Sequence, residues 1–205
     1  MGKEEKFEYH FIKIENDSLV FNFEVNNLFS EVIVEGLNKG MTTVLEYKIQ
    51  LWKKRSLWID KLVAEDILRF KINFDIWSKR YIVFKNKEKP EAFDINEVKE
   101  KCQQLPHYSL CPCQDLENNK EYKIAIKVTL HPISIENYKE IQRWIVGEAK
   151  EIDTEVIKQP KKAGKKAGNW VLGLVLNLSG FGDQIINARS QSFLINSHQL
   201  IFVKE

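Results

Sequence analysis

Hydrophobic and polar residues alternate along much of the chain, with the period of two that is typical of β-strands with one buried face. Four stretches show it most clearly, and each predicts a half-buried strand of the antiparallel kind. These stretches are residues 19–25, 45–51, 68–76 and 122–130. A further strand is predicted at Phe7, Tyr9 and Phe11, and the turn signal Asn16-Asp17 joins it to the first stretch as a hairpin. Shorter strands are expected at residues 57–63, 81–84 and 200–203.

Helical spacing of apolar residues occurs in three places, each with a signal at one end. The predicted helices span residues 28–39, 95–105 and 134–152. Gly40 suits a left-handed cap after the first helix, Asp94 and Glu97 form a capping box at the start of the second, and Ser134 caps the third. The sequence therefore predicts a mainly β or α+β fold, an antiparallel sheet or β-sandwich with about three peripheral helices.

The composition changes abruptly at Gln159, where a run rich in Lys and Gly begins. The predicted organisation is a β-rich domain over residues 1–157, a basic linker over residues 158–169 and an apolar C-terminal appendage over residues 170–205 that is able to pack back on the domain. As a helix, the apolar run at residues 170–181 would reach about 18 Å, short of the roughly 30 Å needed to cross a bilayer. No transmembrane span is expected.

Two interpretations of the appendage stay open. Lysines before a Trp-headed apolar run fit an element that lies along an anionic membrane surface. The same run also fits a core element that returns to the domain. The candidate contact residues in this part of the chain are Lys161, Lys162, Lys165, Lys166, Trp170, Leu174, Leu178 and Phe181.

A second candidate contact surface comes from the turns within residues 43–84. We interpret this stretch as a meander of four strands with turns near residues 53–56, 64–66 and 78–80. Alternate turns of a meander lie at the same end of the sheet, so the two basic turns should share one edge. The candidates there are Trp52, Lys53, Lys54, Arg55, Trp58, Trp77, Lys79 and Arg80. The alternative is that these are ordinary charged turns whose Trp residues cover the core.

Composition and motifs limit the kinds of partner and reaction that are expected for this chain. The 205 residues are 43% hydrophobic with a net charge of +2, so a real core is expected and a nucleic-acid partner is not. Cys111-Pro112-Cys113 is not spaced like a zinc or thioredoxin site, and a metal cluster with Cys102 and His107 is the weaker alternative to a loop of reduced thiols. Because the motifs of hydrolases, nucleotide-binding loops and metalloproteases are missing, we expect a non-enzymatic protein with no cofactor and no metal.

Four short stretches together resemble a bacterial family, the domain-of-unknown-function family 4390. They are Leu37-Asn38-Lys39-Gly40, Tyr47-x-Ile49-x-Leu51-Trp52, Arg55-Ser56-Leu57-Trp58-Ile59-Asp60 and Phe74-Asp75-x-Trp77-x-x-x-Tyr81-x-Val83. The resemblance is clear over residues 28–84 and looser over residues 19–145. It transfers no catalytic residues. Members usually carry an N-terminal export or anchor segment, so the resemblance implies the cell envelope.

The start of the sequence departs from that family pattern. Its first residues contain no apolar stretch, so no signal peptide is predicted, and Lys6 stands where a myristoylation motif needs Ser or Thr. A periplasmic or envelope-associated location is therefore favoured by the resemblance, while a cytoplasmic one stays open.

The expected function is that of an interaction or scaffold module of the envelope, docking on a protein partner or on an anionic membrane surface. The alternative is a carrier that encloses a lipid or another apolar ligand. A sheltered cavity of several hundred Å³ would favour the carrier. A filled core with an exposed apolar patch would favour docking.

Overall fold

The computed structural model describes residues 7–133, 184–196 and 199–203, and in these residues strands predominate. The strands are β1 (Phe7–Glu15), β2 (Ser18–Val25), β3 (Thr42–Lys53), β4 (Lys61–Asp75), β5 (Arg80–Lys85), β6 (Glu91–Phe93), β7 (Gln104–Pro112), β8 (Glu121–Ile133), β9 (Gln184–Arg189), β10 (Phe193–Asn196) and β11 (Gln199–Phe202). The helices of the described residues are α1 (Glu31–Asn38) and α2 (Ile95–Gln103), and a 3₁₀ turn lies at Cys113–Asp115. The predicted antiparallel α+β, sandwich-like class is confirmed.

The strands form two antiparallel sheets. The small sheet has the order β1-β2-β7, and the large sheet has the order β11-β10-β8-β3-β4-β5-β6. Strand β8 pairs with β3 along one edge. Along its other edge β8 pairs first with β10, at residues 121–122, and then with β9, at residues 125–130. The part of the predicted appendage that the structure describes thus extends the large sheet.

The N-terminal hairpin is confirmed with its turn. Strands β1 and β2 pair from Phe7 opposite Val25 to Glu15 opposite Ser18. The two linking residues have φ values of 48° and 56°. Positive φ at both central residues is the geometry of the tight hairpin turns whose twist matches the strands, and Asn and Asp tolerate it.

Helix α1 has the end that the sequence predicts, and it begins later, at Glu31, because Ser30 is its N-cap. At its C-terminus Gly40 has a φ of 91°. The Gly40 N–H donates to the Leu37 carbonyl at 2.9 Å, and the Met41 N–H donates to the Gly36 carbonyl at 3.0 Å. This pair of bonds is the Schellman motif, which satisfies carbonyls that the helix itself cannot.

Helix α2 carries the predicted capping box. The Asp94 carboxylate accepts from the Asn96 and Glu97 N–H groups at 2.7 and 3.0 Å, and the Asp94 N–H donates to Glu97 Oε2 at 3.1 Å. The helix ends at Gln103, two residues before the predicted end, because Gln104 has extended backbone angles and begins β7. The predicted third helix, basic linker and apolar run lie outside the described residues.

The predicted meander of four strands is wrong. Strand β4 is a single strand of 15 residues that continues through residues 64–66, where the sequence predicts a turn containing Glu65 and Asp66. Residues 57–63 do not form a strand of their own: β3 and β4 are joined by a loop at residues 54–60. Within β4 both acidic groups have partners. Glu65 accepts from the Gln50 amide at 2.5 Å, and Asp66 accepts from the Tyr108 hydroxyl at 2.5 Å. Cross-strand partners thus replace the turn that the local sequence favours.

Strand β7 takes the place of the loop that the sequence predicts around Cys111, and it contains Pro106 and Pro112. It pairs with β2 alone, so it is an edge strand, where a missing N–H is tolerated. Strands β6, β9 and β10 were likewise not predicted, whereas β11 confirms the predicted strand near residue 200. The short strands depend on pairing with β5 and β8 and have little local signal.

Tyr47 joins the two sheets and α2. It lies on β3, is fully buried, and packs edge-to-face against Phe23 of the small sheet and Phe70 of the large sheet, with centroid distances of 6.4 and 6.2 Å. Its hydroxyl donates to the Cys102 carbonyl at 2.5 Å. That carbonyl is in the last turn of α2, where carbonyls have no partner within the helix.

Replacing Tyr47→Phe should therefore lower the free energy of unfolding by about 1–3 kcal/mol, because the buried Cys102 carbonyl loses its donor. Urea unfolding followed by circular dichroism measures the change. The matched control is Tyr81→Phe, whose hydroxyl bonds the exposed Asn38 side chain at 2.6 Å, so water can replace it at little cost. Equal losses in the two variants would contradict the role assigned to Tyr47.

Candidate functional site

The two basic turns lie at opposite ends of β4, which corrects the prediction that they share one edge. At one end Lys53 pairs with Lys61, and at the other Asp75 pairs with Arg80. At a rise of about 3.3 Å per residue, β4 separates them by roughly 45 Å. The candidates accordingly fall into two groups. One contains Trp52, Lys53, Lys54, Arg55 and Trp58, and the other contains Trp77, Lys79 and Arg80.

The β3–β4 loop exposes three consecutive large apolar side chains, which we call the tip: Leu57, Trp58 and Ile59. Their exposed fractions are 88%, 78% and 90%. Four basic residues flank the tip in sequence, namely Lys53, Lys54, Arg55 and Lys61. An exposed apolar cluster of this kind with a polar rim is characteristic of a contact surface.

The base of this loop is fixed to neighbouring parts of the chain. Lys53 Nζ lies 2.5 Å from Glu117 Oε1, and Lys54 Nζ lies 2.9 Å from Glu121 Oε1. Each ammonium, through its hydrogen bond, lowers the pKa of its carboxyl partner, which keeps both pairs charged. The tip is therefore presented by an anchored loop.

The opposite turn, between β4 and β5, is tighter and carries less apolar surface. Trp77 is 96% exposed beside the exposed Ile76. The Asp75 carboxylate accepts from Ser78 Oγ at 2.7 Å and from the Trp77 N–H at 2.9 Å. These bonds lower the pKa of Asp75, the Ser78 hydroxyl contributing most.

A groove of about 480 Å³ lies on the outer face of the large sheet, next to the base of the loop. We call it the cationic groove. Its polar and aromatic lining consists of Lys48, Gln50, Trp52, Asp60, Lys123, Lys127, Asn187 and Arg189. Strand register brings these residues together: Lys127 lies opposite Lys48, Lys123 lies opposite Trp52, and Arg189 lies opposite Ala125. The small Ala125 side chain contributes to the floor.

The groove adds four basic residues to the predicted site. Sequence analysis missed Lys48, Lys123, Lys127 and Arg189 because each is an ordinary polar position in an alternating pattern. Lys48 Nζ pairs with Glu65 Oε2 at 3.3 Å. Among the described residues, Lys127 and Arg189 have no ion-pair partner. The positive charge of the groove is thus only partly compensated.

A second concavity, of about 510 Å³, opens between α2 and the edges of both sheets. Its apolar walls are Leu68, Phe70, Phe93 and Leu105. The polar part of its lining consists of Glu97, Glu100, Lys101 and Gln104. This cleft is the feature that an apolar ligand would fit, because apolar walls with a few polar groups are typical of small-molecule sites.

The candidates from residues 161–181 lie outside the described residues. Neither described helix has the roughly 20 apolar residues that a membrane-crossing helix requires. Within the described ranges, no three His, Cys, Asp or Glu side chains are grouped so that they could hold a metal ion. Cys102, Cys111 and Cys113 are free thiols, all of them buried.

Comparison with known proteins gives one match. Residues 6–133, more than half of the 205, match a family model described as a domain of unknown function (DUF4390). No curated protein matches the chain. No solved structure matches it either.

Buried thiols and phenols make the fold sensitive to alkali. Burial raises the pKa of Cys102 and of Cys111 to about 12, and it raises the pKa of Tyr47 well above its usual value. At neutral pH the thiols are therefore protonated, and a protonated thiol is a poor nucleophile. Because these pKa values are higher in the folded than in the unfolded state, the stability they contribute is complete below the unfolded values.

The unfolding free energy should accordingly change little from about pH 7 to 8 and should fall above about pH 9, by about 1.4 kcal/mol per pH unit for each group that ionises in the unfolded chain. Urea titrations at a series of pH values measure this slope. Cys102→Ala should make the slope shallower. Stability that holds unchanged to about pH 11 would contradict the burial of these groups.

Proposed function

We propose that this chain, which belongs to the DUF4390 family, is a non-enzymatic interaction module of the bacterial envelope that docks on a partner surface through the tip of its β3–β4 loop. The observation that carries the proposal is the exposure of Leu57, Trp58 and Ile59 together on one anchored loop. Turns in strand-rich domains are normally polar. Three consecutive large apolar side chains in such a loop are therefore expected to be covered by the surface of a partner.

The physical gain from covering the tip is substantial. Burial of a large apolar side chain is worth about 1.5–3 kcal/mol, so the three together supply on the order of 5 kcal/mol before ordering costs. Ordering costs are reduced because the ion pairs of Lys53 and Lys54 already hold the base of the loop. Trp is also among the residues enriched at binding hot spots.

The envelope is proposed from the family resemblance, since members usually carry an export or anchor segment. Two kinds of partner surface suit a basic loop with an apolar tip, a protein and an anionic membrane. The second basic turn, with Trp77, Lys79 and Arg80, lies at the opposite end of β4 and is proposed as a separate contact. The Lys and apolar residues of 161–181 remain proposed contributors to the contact at the tip.

Site-specific photo-crosslinking in bacterial cells tests the proposal directly. A photoreactive phenylalanine at position 58 should form adducts with a protein or a lipid, because the tip is buried against the partner. The control is the same side chain at position 87, which is exposed in the turn between β5 and β6. Absence of adducts at position 58 from a folded, expressed protein would overturn docking through the tip.

The second candidate function is a carrier, and it is favoured by the cleft beside α2. A fluorescent fatty acid is the suitable probe. Phe93→Glu replaces part of the apolar wall with a carboxylate and should weaken binding by at least about tenfold, because a polar group is costly to bury against a hydrocarbon chain. The control is Ala92→Glu, since adjacent residues of a strand face opposite ways. Absence of probe binding to the parent chain would exclude this function for fatty acids.

A further inference from the structure

The cationic groove and the tip lie at the same end of the large sheet. Asp60, which follows the tip, lines the groove, and so does Trp52 from the end of β3. Trp52 is half-buried, and its indole N–H donates to Gln50 Oε1 at 3.2 Å. An object that covers the tip therefore also reaches the mouth of the groove.

The groove carries more positive than negative charge. Its four cations face two carboxylates, Asp60 in the lining and Glu65 beside Lys48. Glu65 is already engaged by Lys48 and by the Gln50 amide, and Asp60 accepts from the Arg55 N–H at 3.3 Å. Among the described residues, the charges of Lys127 on β8 and Arg189 on β9 therefore have no carboxylate partner.

The clustering of positive charge in the groove lowers the stability of the folded sheet. Lys48 and Lys127 are directly opposite on neighbouring strands, and like charges in that position destabilise a sheet. Only one of them, Lys48, has a carboxylate partner among the described residues. A local feature that costs stability and is only partly compensated, here by Glu65 on Lys48, is expected where a binding site is built.

The shape of the groove suits a small anionic group. Ala125 contributes little volume between long side chains, and Arg189 stands opposite it. A guanidinium can donate two parallel hydrogen bonds to phosphate oxygens, and lysines add point charges around them.

We propose that the tip and the groove together dock the protein on an anionic phospholipid bilayer, with the tip in the interfacial layer and phosphate-bearing headgroups in the groove. The inference rests on the proposed function, because it uses the same tip. A bilayer accounts for both features at once: Trp and aliphatic side chains enter the interface, and the cations meet a negatively charged surface. An acidic protein would account for the charge without needing three apolar residues at the most exposed point of the loop.

The test is flotation of the full chain with vesicles of phosphatidylglycerol and phosphatidylcholine, compared with phosphatidylcholine alone. Binding should require the anionic lipid and should weaken as salt is added. The double variant Lys123→Gln/Lys127→Gln should bind about 25-fold more weakly, at about fivefold for each lysine near the surface. Its matched control is Lys87→Gln/Lys89→Gln, which removes the same charge from the β5–β6 turn and should bind like the parent.

Two further variants test the tip. Leu57→Ser/Trp58→Ser/Ile59→Ser should abolish flotation, whereas Ile76→Ser/Trp77→Ser, at the opposite end of β4, should retain it. Lys127→Gln alone should be at least as stable in urea as the parent, because it removes the like-charge pair. The double variant Lys123→Gln/Lys127→Gln should likewise unfold at a urea concentration no lower than that of the parent, and this measurement separates lost binding from unfolding.

Three results would overturn the inference. The first is equal binding by the groove variant and its matched control. The second is displacement of the protein from vesicles by glycerol phosphate at matched phosphate concentration, which would make the groove a site for soluble anions. The third is absence of vesicle binding while position 58 still crosslinks to a protein, which would leave the proposed docking function intact with a different partner.

Discussion

The hydrogen bond from Tyr47 to the Cys102 carbonyl is the contact on which the arrangement of the layers depends. It connects the central strand of the large sheet to the last turn of α2, immediately before β7 enters the small sheet. The aromatic contacts of the same side chain reach both sheets. Because a buried carbonyl without a donor is costly, few alternative placements of α2 against β3 are available. Tyr47 therefore contributes to holding both sheets against α2.

Strand β3 connects this part of the core to the loop that carries the tip. It is paired with β4 on one side and with β8 on the other over nearly its whole length. The loop that follows therefore leaves from a rigid strand end, and its base is held by the ion pairs of Lys53 and Lys54. A contact surface built on a fixed element loses little conformational entropy on binding, and this supports the proposal that the short apolar tip docks on a partner.

The sequence alone predicts the features that depend on interactions between residues close together in the chain. The capping box of Asp94 and Glu97 and the left-handed Gly40 each act within a few residues, so their outcome does not depend on the rest of the fold. The continuity of β4 could not be predicted in this way, since Glu65 and Asp66 take partners from β3 and β7. The groove could not be predicted for the same reason, since it also depends on pairing between distant strands. Lys123 and Arg189 are brought near Trp52 only by the register of these strands.

The return of the chain to β8 has a consequence for synthesis. The family match ends at residue 133, where β8 ends, yet the strands that cover the outer edge of β8 begin at residue 184. About 50 residues must be translated in between, which takes on the order of a few seconds at typical ribosome speeds. Among the described strands, β8 is flanked during that interval by β3 alone, and an unpaired strand edge is a template for association with other chains. Within the described part of the fold, the large sheet is thus completed on one side of β8 before the other.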